Sequence, residues 1–427
     1  MLDIPNMGNT KMKVIIFEDI GVRWLYPLTL THPAWELLWG MSTLVERIRR
    51  VFTDDQIILH TRSYLVDVLR EKYNLPVNMV PDDTTLFVNG RLMEILSPDI
   101  IPTSTEEQLL LNDAGDPIFA IVSQKNLTHL RDKLSHGDEF TVDDFNFIHT
   151  RRQVKLKLAH YLWDYVLSNA TAITKEFELI KPTLPEATDT TYEGVHLINA
   201  DSIYIHPTAK LAPCVVLDAT NGPVLIDRDA VVMPHTAIEG PTYIGPGSKI
   251  KIGTKIYEGT SIGPVCKIGG EVDNSIVLGY SNKQHDGFLG HAYIGEWINL
   301  GAGTSNSDLK NNYSSVKVYL HGEEIDTGHI FIGLMMGDHS KTAINTTLNT
   351  GTVVGVSANL FGEGFPPKYV PSFAWGGAKG FTEYKLDKAI ATARKVMARR
   401  DKELTTSYER MLRYIFDLTR TERVSFS

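Results

Sequence analysis

The sequence predicts an α/β domain followed by a parallel β-helix, and two patterns carry this prediction. In the first third of the chain, short apolar runs alternate with helical patterns, which is typical of an α/β sheet. In the second half, aliphatic residues recur at a spacing of six, which fits neither the 3.6-residue period of an α-helix nor a simple hairpin meander. The length of 427 residues allows two or three domains at roughly 150 residues each.

The first domain is expected to contain a mostly parallel sheet. Apolar runs predict strands over residues 13–18, 57–60, 86–88 and 119–122. Apolar residues at helical spacing predict a helix over residues 33–52. Ligands of such sheets bind at the carboxyl ends of the strands, so the loops after Glu18 and Val88 are the candidate binding sites.

A helical segment is expected to connect the domains. Residues 141–180 have a mainly helical pattern, with a break near Asn169. Residues 386–420 carry an amphipathic stripe, which favours a helix that packs across the end of the β-helix over one that binds a partner. The predicted division is an α/β domain over 12–140, a helical linker over 141–195, a β-helix over 196–380 and a C-terminal helix over 381–427.

The spacing of six predicts one short strand per hexad. The unbroken run of aliphatic positions is Ile226, Val232, Ile238, Ile244, Ile250, Ile256, Ile262 and Ile268. These residues are expected to stack inside the coils, while the small residues four positions later let the chain turn. Further interior positions are expected at Ile205, Leu211 and Leu217, and later at Ile294, Leu300, Ile332 and Ile344. Eight successive matches disfavour the alternative, a β-sandwich with coincidental spacing. Residues 306–328 break the period and predict a loop or hairpin.

Composition and charge exclude several function classes. The 42 Lys and Arg against 51 Asp and Glu give a net charge of −9, which disfavours a nucleic-acid or anionic-membrane surface. No run of about 18 apolar residues predicts a membrane span, and the N-terminus lacks the apolar core of a signal peptide. Cys214 and Cys266 are the only cysteines, which fits a reducing compartment, and the cytoplasm is the expected location.

Two segments resemble a known family of two-domain transferases. The stretch FEDIGVRWLYPLTLTHPAWELLWGMSTLVERI is similar to the opening of sugar-1-phosphate nucleotidyltransferases, usually AAGxGTRLxPLT…KP…L. The hexad region, with QHDGFLGHAYIGEWINLGAGT, resembles the acetyltransferase half of bifunctional N-acetylglucosamine-1-phosphate uridyltransferase/glucosamine-1-phosphate acetyltransferases. The resemblance covers most of residues 13–365. It implies a Rossmann-like nucleotidyltransferase-like domain, a helical link and a left-handed β-helix of hexapeptide repeats.

In the first domain, the resemblance implies a site for nucleotide and sugar phosphate. Arg23 matches the motif arginine that holds the triphosphate, and Gly21 and Thr29 match a glycine and the threonine of the motif. Two lysines of the family are replaced by Ala34 and Ser42.

After the strand at 86–88, the family places an aspartate that binds Mg²⁺, where this chain has Asn89, Gly90 and Arg91. Either Arg23 and Arg91 hold phosphates in a rearranged way, or the first domain is a binding or structural relic.

In the β-helix, the resemblance places the acyl-transfer site around His285. This histidine occupies the position of the family's catalytic base in HxxxLG, and a neutral imidazole can accept a proton from an attacking amine. Phe288 stands where the family has a tyrosine. The same resemblance assigns contacts to the acyl donor or acceptor to Asn299, Ala302, Asn312, Tyr313 and Lys317. His291, His321, His329 and His339 also lie in this half, without the paired spacing of a metal site.

Together, these features imply a cytoplasmic transferase. The first domain would join a sugar phosphate to a nucleoside triphosphate with Mg²⁺ and release pyrophosphate. The second would transfer an acyl group from a CoA thioester, acetyl-CoA, to an amino sugar. A homotrimer is expected because β-helices of this kind trimerise. The alternatives are a chain with one active half and a non-catalytic sugar-nucleotide sensor or scaffold.

Overall fold

A six-stranded mixed sheet forms the centre of the first domain. The computed structural model describes residues 12–102, 104–185 and 192–426. The strands are β1 (Lys13–Phe17), β2 (Ile57–Leu59), β3 (Thr85–Asn89), β4 (Gln108–Leu111), β5 (Pro117–Val122) and β6 (Arg151–Gln153). Their order is β2-β1-β3-β5-β4-β6. The four predicted strands are confirmed.

The sheet is mixed because β5 runs antiparallel to both of its neighbours. β1 is parallel to β2 and β3, and β4 is parallel to β6, whereas β5 is antiparallel to β3 and β4. Asn112 and Asp116 close a short turn between β4 and β5, with Gly115 at φ +86°. A parallel connection needs a crossover of a dozen or more residues, so this turn enforces an antiparallel pair. The other five strands point the same way, so the expectation of a mostly parallel sheet is confirmed, with β5 as its antiparallel exception.

Four α-helices flank the sheet and lead towards the second half of the chain. They are α1 (Leu44–Arg49), α2 (Val66–Lys72), α3 (Arg131–His136) and α4 (Leu162–Ile180). The 3₁₀ turns are Ile20–Leu25, Leu28–Leu30, Ala34–Glu36, Asp54–Gln56, Ser63–Leu65, Gln124–Leu130, Val142–Phe145, Lys181–Thr183, Ala200–Ser202 and Arg420–Phe426. The single helix predicted over 33–52 is wrong. The chain turns at Gly40 with φ +70°, and the capping box of Thr43 and Glu46 starts α1 only afterwards.

The segment predicted as a helical linker contains a strand as well as a helix. The helical pattern over 141–161 is wrong because β6 pairs there with the edge of β4. The predicted break near Asn169 is also wrong, since α4 is continuous through it. The buried Asn169 amide donates to Gly259 O and Ser261 Oγ and accepts from Gly40 N, so it does not compete with the helix's own hydrogen bonds.

The second half is a parallel β-helix in which 18 residues make one regular coil. Val224 pairs with Thr242, and Thr242 pairs with Thr260, at this spacing. Three short strands per coil build three faces, consistent with the expected left-handed β-helix. The domain-facing face comprises Ile203–Ile205, Val224–Ile226, Thr242–Ile244, Thr260–Ile262, Ile276–Gly279, Tyr293–Glu296, Met335–Met336, Val353–Val354 and Tyr369–Val370.

Two outer faces complete the coils. The first comprises His196–Ile198, Val216–Asp218, Ala237–Glu239, Lys255–Ile256, Glu271–Asp273 and Phe288–Gly290, with the separate pair Ser305–Asn306 and Thr347–Leu348 further along. The second comprises Lys210–Leu211, Val231–Val232, Lys249–Ile250, Lys267–Ile268 and Asn282–Lys283, and then Lys341–Thr342, Asn359–Leu360, Ala374–Gly377 and Gly380–Glu383.

The interior of the β-helix confirms the spacing of six and corrects its late phase. All eight aliphatic residues of the run are buried. Beyond it, Ile344 is 70% exposed, and Ile332 packs with the core of the first domain, so these two interior predictions are wrong. The reason is an excursion before the coils resume at Met336, which contains the antiparallel hairpin Lys317–Leu320 and Glu323–Asp326. The predicted loop or hairpin over 306–328 is thereby confirmed.

The chain ends in two helices that fill the junction between the domains. They are α5 (Leu386–Ala398) and α6 (Thr406–Leu418), separated at Asp401, where φ is +54°. Buried residues of both helices, such as Ile390 and Ile415, join the core of the first domain. The predicted position across the end of the β-helix is therefore wrong, because the apolar stripe finds its partners beside the coils. In the described ranges, no helix has the length and apolar character needed to cross a membrane.

Candidate functional site

The loop after β1 closes on itself around Asp19. Gly21 N donates to Asp19 Oδ1 at 3.1 Å, Val22 N donates to Asp19 O at 3.1 Å, and Ile20 N donates to Phe140 O at 3.1 Å. In a phosphate-binding loop, such backbone N–H groups point at the ligand. Here the N–H groups of three successive residues already have protein acceptors.

Arg91 fills the space beside this loop and is paired with Asp19. Its Nε and Nη2 each donate to one Asp19 carboxylate oxygen at 2.6 Å, and its Nη1 donates to Ala159 O at 2.6 Å. Asn89 Nδ2 adds a bond to Asp19 Oδ2 at 2.8 Å. Burial lowers the pKa of Arg91, but the Asp19 carboxylate outweighs it and leaves the pKa above its usual value. Because both carboxylate oxygens face a guanidinium, Asp19 and Asn89 do not fit a magnesium ion.

The two glycines of the predicted site are required by close packing. A Cβ on Gly21 would lie 2.3 Å from Arg91 Cζ, and a Cβ on Gly90 would lie 2.9 Å from Phe17 O. These contacts explain both residues without a bound nucleotide. Thr29 is buried, and its hydroxyl donates to Val22 O at 2.9 Å.

Arg23 is the exposed member of the predicted set. Its guanidinium lies 5.1 Å from the centroid of the Trp24 ring and makes no ion pair with any described residue. It lines a cavity of about 460 Å³ that also includes Thr29 and Arg62. The structure therefore brings Arg23 and Thr29 to one cavity, while Arg91 is held by Asp19.

The positions of the two replaced lysines belong to buried hydrogen-bond networks. Ala34 N donates to Glu18 Oε1 at 3.0 Å, and the Ser42 hydroxyl donates to Glu176. Burial raises the pKa of Glu176, but the neighbouring arginines hold it below its usual value.

In the β-helix, His285 and Ala302 lie on the same corner of successive coils. Gly303 N donates to Asp286 O at 2.9 Å, which stacks the two corners. His285 is exposed, and its ring has no hydrogen-bond partner among the described residues. Asn299 precedes Ala302 in the chain and is exposed. Its backbone forms parallel β-bridges with Asn282 on one side and Lys341 on the other.

The remaining predicted residues of this site lie on the excursion beside the coils. Asn312 accepts from Ser314, and the exposed Tyr313 bonds to Lys310 through its backbone. Lys317 belongs to the hairpin and pairs with Glu324 at 2.6 Å. No contact recorded among the described residues joins these three side chains to His285.

A second histidine of the same sequence segment has acidic partners. His291 Nδ1 lies 2.8 Å from Asp308 Oδ2, and each of the two side chains is 13% exposed. Phe331 stacks on the imidazole with ring centroids 5.1 Å apart. Ligand atoms of Asp273, His291 and Asp308 lie within 4.8 Å of one another, so this group has the geometry to hold a cation. Burial raises the pKa of Asp273.

The His291–Asp308 pair was missed at the level of sequence, although the coils contain a signal for it. Glu271 pairs with Phe288, and Ile276 with Tyr293, so a coil takes 17 residues in this region. His291 and Asp308 are also 17 residues apart, which places them on neighbouring coils. The other three histidines do not join them. His321 Nε2 lies 2.7 Å from Arg23 O, and His339 Nε2 lies 2.9 Å from Tyr408 Oη. His329 is not a member of the group of Asp273, His291 and Asp308.

The fold divides the chain into an α/β part and a β-helix of hexapeptide repeats. Residues 14–183 match the family model described as sugar nucleotidyl transferase. The first part of the chain is thus similar to sugar nucleotidyl transferases, and the expected resemblance to the bifunctional transferases is confirmed at low sequence identity.

Three relatives show the extent of the similarity. A bifunctional sugar-1-phosphate nucleotidylyltransferase/acetyltransferase of Sulfurisphaera tokodaii is 35% identical over 146 residues, which is 33% of this chain and 35% of the relative. The bifunctional protein GlmU of Synechococcus elongatus is 24% identical over 66% of this chain and 56% of its own length. GlmU of Bartonella quintana is 22% identical over 69% and 63%. The matched regions thus span about one third to just under two thirds of these relatives.

Proposed function

We propose that this chain is a sugar-phosphate transferase with two activities. The sugar nucleotidyl transferase domain, which we extend to the family match's end at residue 183, would form a nucleotide sugar from a sugar phosphate and a nucleoside triphosphate. The β-helix would transfer an acetyl group from acetyl-CoA to an amino sugar. The His291–Asp308 pair carries the proposal, because it joins a histidine to an orienting carboxylate at the edge of the coils.

The geometry favours His291 over His285 as the general base. A carboxylate at Nδ1 orients the imidazole and leaves Nε2 to accept a proton, as in other His–Asp pairs. Among the described residues, Nε2 of His291 has no hydrogen-bond partner. As the sugar nitrogen attacks the thioester carbonyl, Nε2 would take the ammonium proton; the C–N bond forms, the C–S bond breaks, and CoA leaves with the electron pair and a proton.

Three further parts of the proposal concern the acyl donor, the oligomeric state and the location. Asn299 and Ala302 remain proposed contacts of the acyl donor on the family resemblance, which is independent of their place at the coil corner of His285. A homotrimer is supported by the two outer faces of the β-helix, which the first domain does not cover, and a monomeric mass in light scattering would contradict it. The free thiols of Cys214 and Cys266 support the cytoplasm as the location.

A second candidate function keeps acyl transfer alone. The Asp19–Arg91 pair favours it, because the pair occupies the loop that would receive the nucleotide phosphates. Under this candidate, Arg23 and the cavity of about 460 Å³ contribute binding without nucleotidyl transfer.

Two parallel assays separate these functions. Acetyl-CoA and a panel of amino-sugar phosphates are tested for release of free thiol, and nucleoside triphosphates with sugar 1-phosphates and MgCl₂ are tested for pyrophosphate. We expect His291→Gln to lower the rate of thiol release by about 10²–10⁴-fold. His285→Gln is the matched control and should change that rate less than about twofold. Thiol release without pyrophosphate supports the second candidate, and ligand binding without either product supports a sensor.

A further inference from the structure

A cavity of about 820 Å³ lies between the first domain and the β-helix. Tyr73 of the first domain and Tyr243 and Tyr280 of the β-helix are among the residues that line it. A group of five charged side chains, which we term the junction cluster, meets at this boundary: His32, Glu36, Lys72, Glu296 and Asp338. The first three belong to the first domain and the last two to the β-helix.

Three members of the junction cluster converge on one point. His32 Nε2 lies 2.8 Å from Asp338 Oδ2, and Glu296 N donates to Asp338 Oδ1 at 2.8 Å. The Glu296 carboxylate lines the cavity and has no hydrogen-bond partner among the described residues. Ligand atoms of His32, Glu296 and Asp338 lie within 4.8 Å of one another.

We propose that His32, Glu296 and Asp338 bind a divalent transition-metal ion at the junction of the two domains. Two ligands at about 2.0–2.2 Å from one tetrahedral ion lie about 3.3–3.6 Å apart. The His32–Asp338 contact of 2.8 Å would therefore lengthen slightly, while any spacing near the 4.8 Å limit would shorten by about 1 Å. The ion would take the place of the proton on His32 Nε2. Three protein ligands leave at least one coordination position open towards the cavity for water or an anionic ligand.

An independent feature of the cluster supports the proposal. Histidines that bind metals almost always donate their other ring N–H to a carboxylate or carbonyl, which fixes the orientation of the ring. Glu36 occupies that position, with Oε2 3.2 Å from His32 Nδ1. Lys72 Nζ in turn lies 2.7 Å from Glu36 Oε1. Glu36 is thus a positioning residue, and the ring is already held as a metal ligand needs.

The charge of the cluster points to the same class of ion. Glu36, Glu296 and Asp338 supply three carboxylates in a largely buried region, whereas Lys72 supplies one ammonium group. A divalent ion beside a neutral imidazole balances the two remaining negative charges. One imidazole and two carboxylates suit Zn²⁺ or Mn²⁺ better than Mg²⁺ or Ca²⁺, which prefer oxygen ligands throughout.

The test measures metal content and affinity on the full chain, with no activity readout. Chelator-treated protein is dialysed against ZnCl₂, MnCl₂ or MgCl₂, and bound metal is measured by mass spectrometry and titration calorimetry. We expect the junction cluster to bind one Zn²⁺ per chain and to raise the melting temperature. Glu296→Gln and His32→Gln should each weaken this binding at least about tenfold. Glu296→Gln is the safer variant for folding, because the carboxylate it replaces makes no hydrogen bond with a described residue.

Asp308→Asn is the matched control, since Asp273, His291 and Asp308 form the other described group with cation-binding geometry. It should leave the Zn²⁺ bound at the junction unchanged. The proposal is overturned if the wild-type chain binds no Zn²⁺ below millimolar concentration. It is equally overturned if Asp308→Asn abolishes all binding while folded Glu296→Gln retains wild-type affinity.

Discussion

The Asp19–Arg91 pair and the His291–Asp308 pair differ in the hydrogen-bonding capacity that each leaves unused. Arg91 is 3% exposed, and both Asp19 carboxylate oxygens accept from it. The His291–Asp308 pair is partly exposed, and one imidazole nitrogen has no partner among the described residues. The first pair therefore stabilises the fold, whereas the second can still exchange a proton. A charged pair marks a reactive site only when part of its hydrogen-bonding capacity is free.

The largest effect on stability is expected from removing the acid of the first pair. Asp19→Ala leaves the Arg91 guanidinium buried without a counter-ion, which costs about 3–5 kcal/mol of unfolding free energy. Urea denaturation followed by fluorescence measures this loss. The double variant Asp19→Asn/Arg91→Met removes both charges and should recover most of it. A loss below about 1 kcal/mol in Asp19→Ala would show that the pair is not the structural element we describe.

The corresponding change in the second pair should affect catalysis and leave stability nearly intact. Asp308→Asn replaces the carboxylate at His291 Nδ1 with an amide. An amide N–H can donate to Nδ1, which places the imidazole proton on Nε2 and prevents Nε2 from accepting one. We expect kcat for acyl transfer to fall on the order of 100-fold, with little change in the KM for acetyl-CoA. A stability loss above about 2 kcal/mol with normal kcat would reverse the contrast between the pairs.

The difference between the two pairs also explains what the sequence could predict. The interior residues from Ile226 to Ile268 follow from a local period and were found directly. Asp19 and Arg91 are 72 residues apart, on loops that meet only because β1 and β3 are neighbours. No local pattern reports such a contact, so Arg91 was assigned to phosphate.

The β-helix was predictable wherever its register could be followed. His291 and Asp308 are about one coil apart, so the pairing was available in principle once the coil length of this region was known. The interior position predicted for Ile344 is wrong because the excursion before Met336 shifts the six-residue register. The length of this shift cannot be read from the spacing of the earlier hexads. The contacts between the domains, such as that of Asn169 with Gly259, depend on tertiary packing. No local sequence pattern predicts them.

Lys283 is intermediate between the Asp19–Arg91 pair and the His291–Asp308 pair. It is buried and hydrogen-bonded, but it has no ion pair with a described residue. Its ammonium donates to the carbonyls of Gly269, His285 and Gly287. Burial lowers the pKa of Lys283 to about 8. In the unfolded chain, the pKa of a lysine is about 10.4. As the pH rises, Lys283 therefore loses its proton in the folded state before it does so in the unfolded chain. Stability should rise with pH between these two values and be lost as the pH falls through about 8.

Urea midpoints at several pH values check this expectation. Relative to Lys283→Met, the wild-type chain should gain on the order of 2 kcal/mol between pH 8 and pH 10.5. The methionine keeps much of the side-chain volume and removes the titration. Parallel curves for the two proteins would mean that the ammonium stays charged in the coil, as a buried charge with sufficient acceptors can.

The smallest effect on stability is expected at Arg23, the other arginine of the first domain that the sequence assigned to phosphate. Its guanidinium is exposed and makes no ion pair with the residues described, so Arg23→Ala should change the unfolding free energy by less than about 0.5 kcal/mol. Its unused donors face the cavity of about 460 Å³, and a charge-assisted contact to a phosphate is worth about 1.5–3 kcal/mol. Binding of a nucleoside triphosphate, measured by calorimetry, should therefore weaken at least about tenfold. Arg70→Ala, another exposed arginine of this domain, is the control and should bind normally. Equal binding by both variants would leave the first domain without an identified phosphate ligand, and would favour acyl transfer as the activity of the chain.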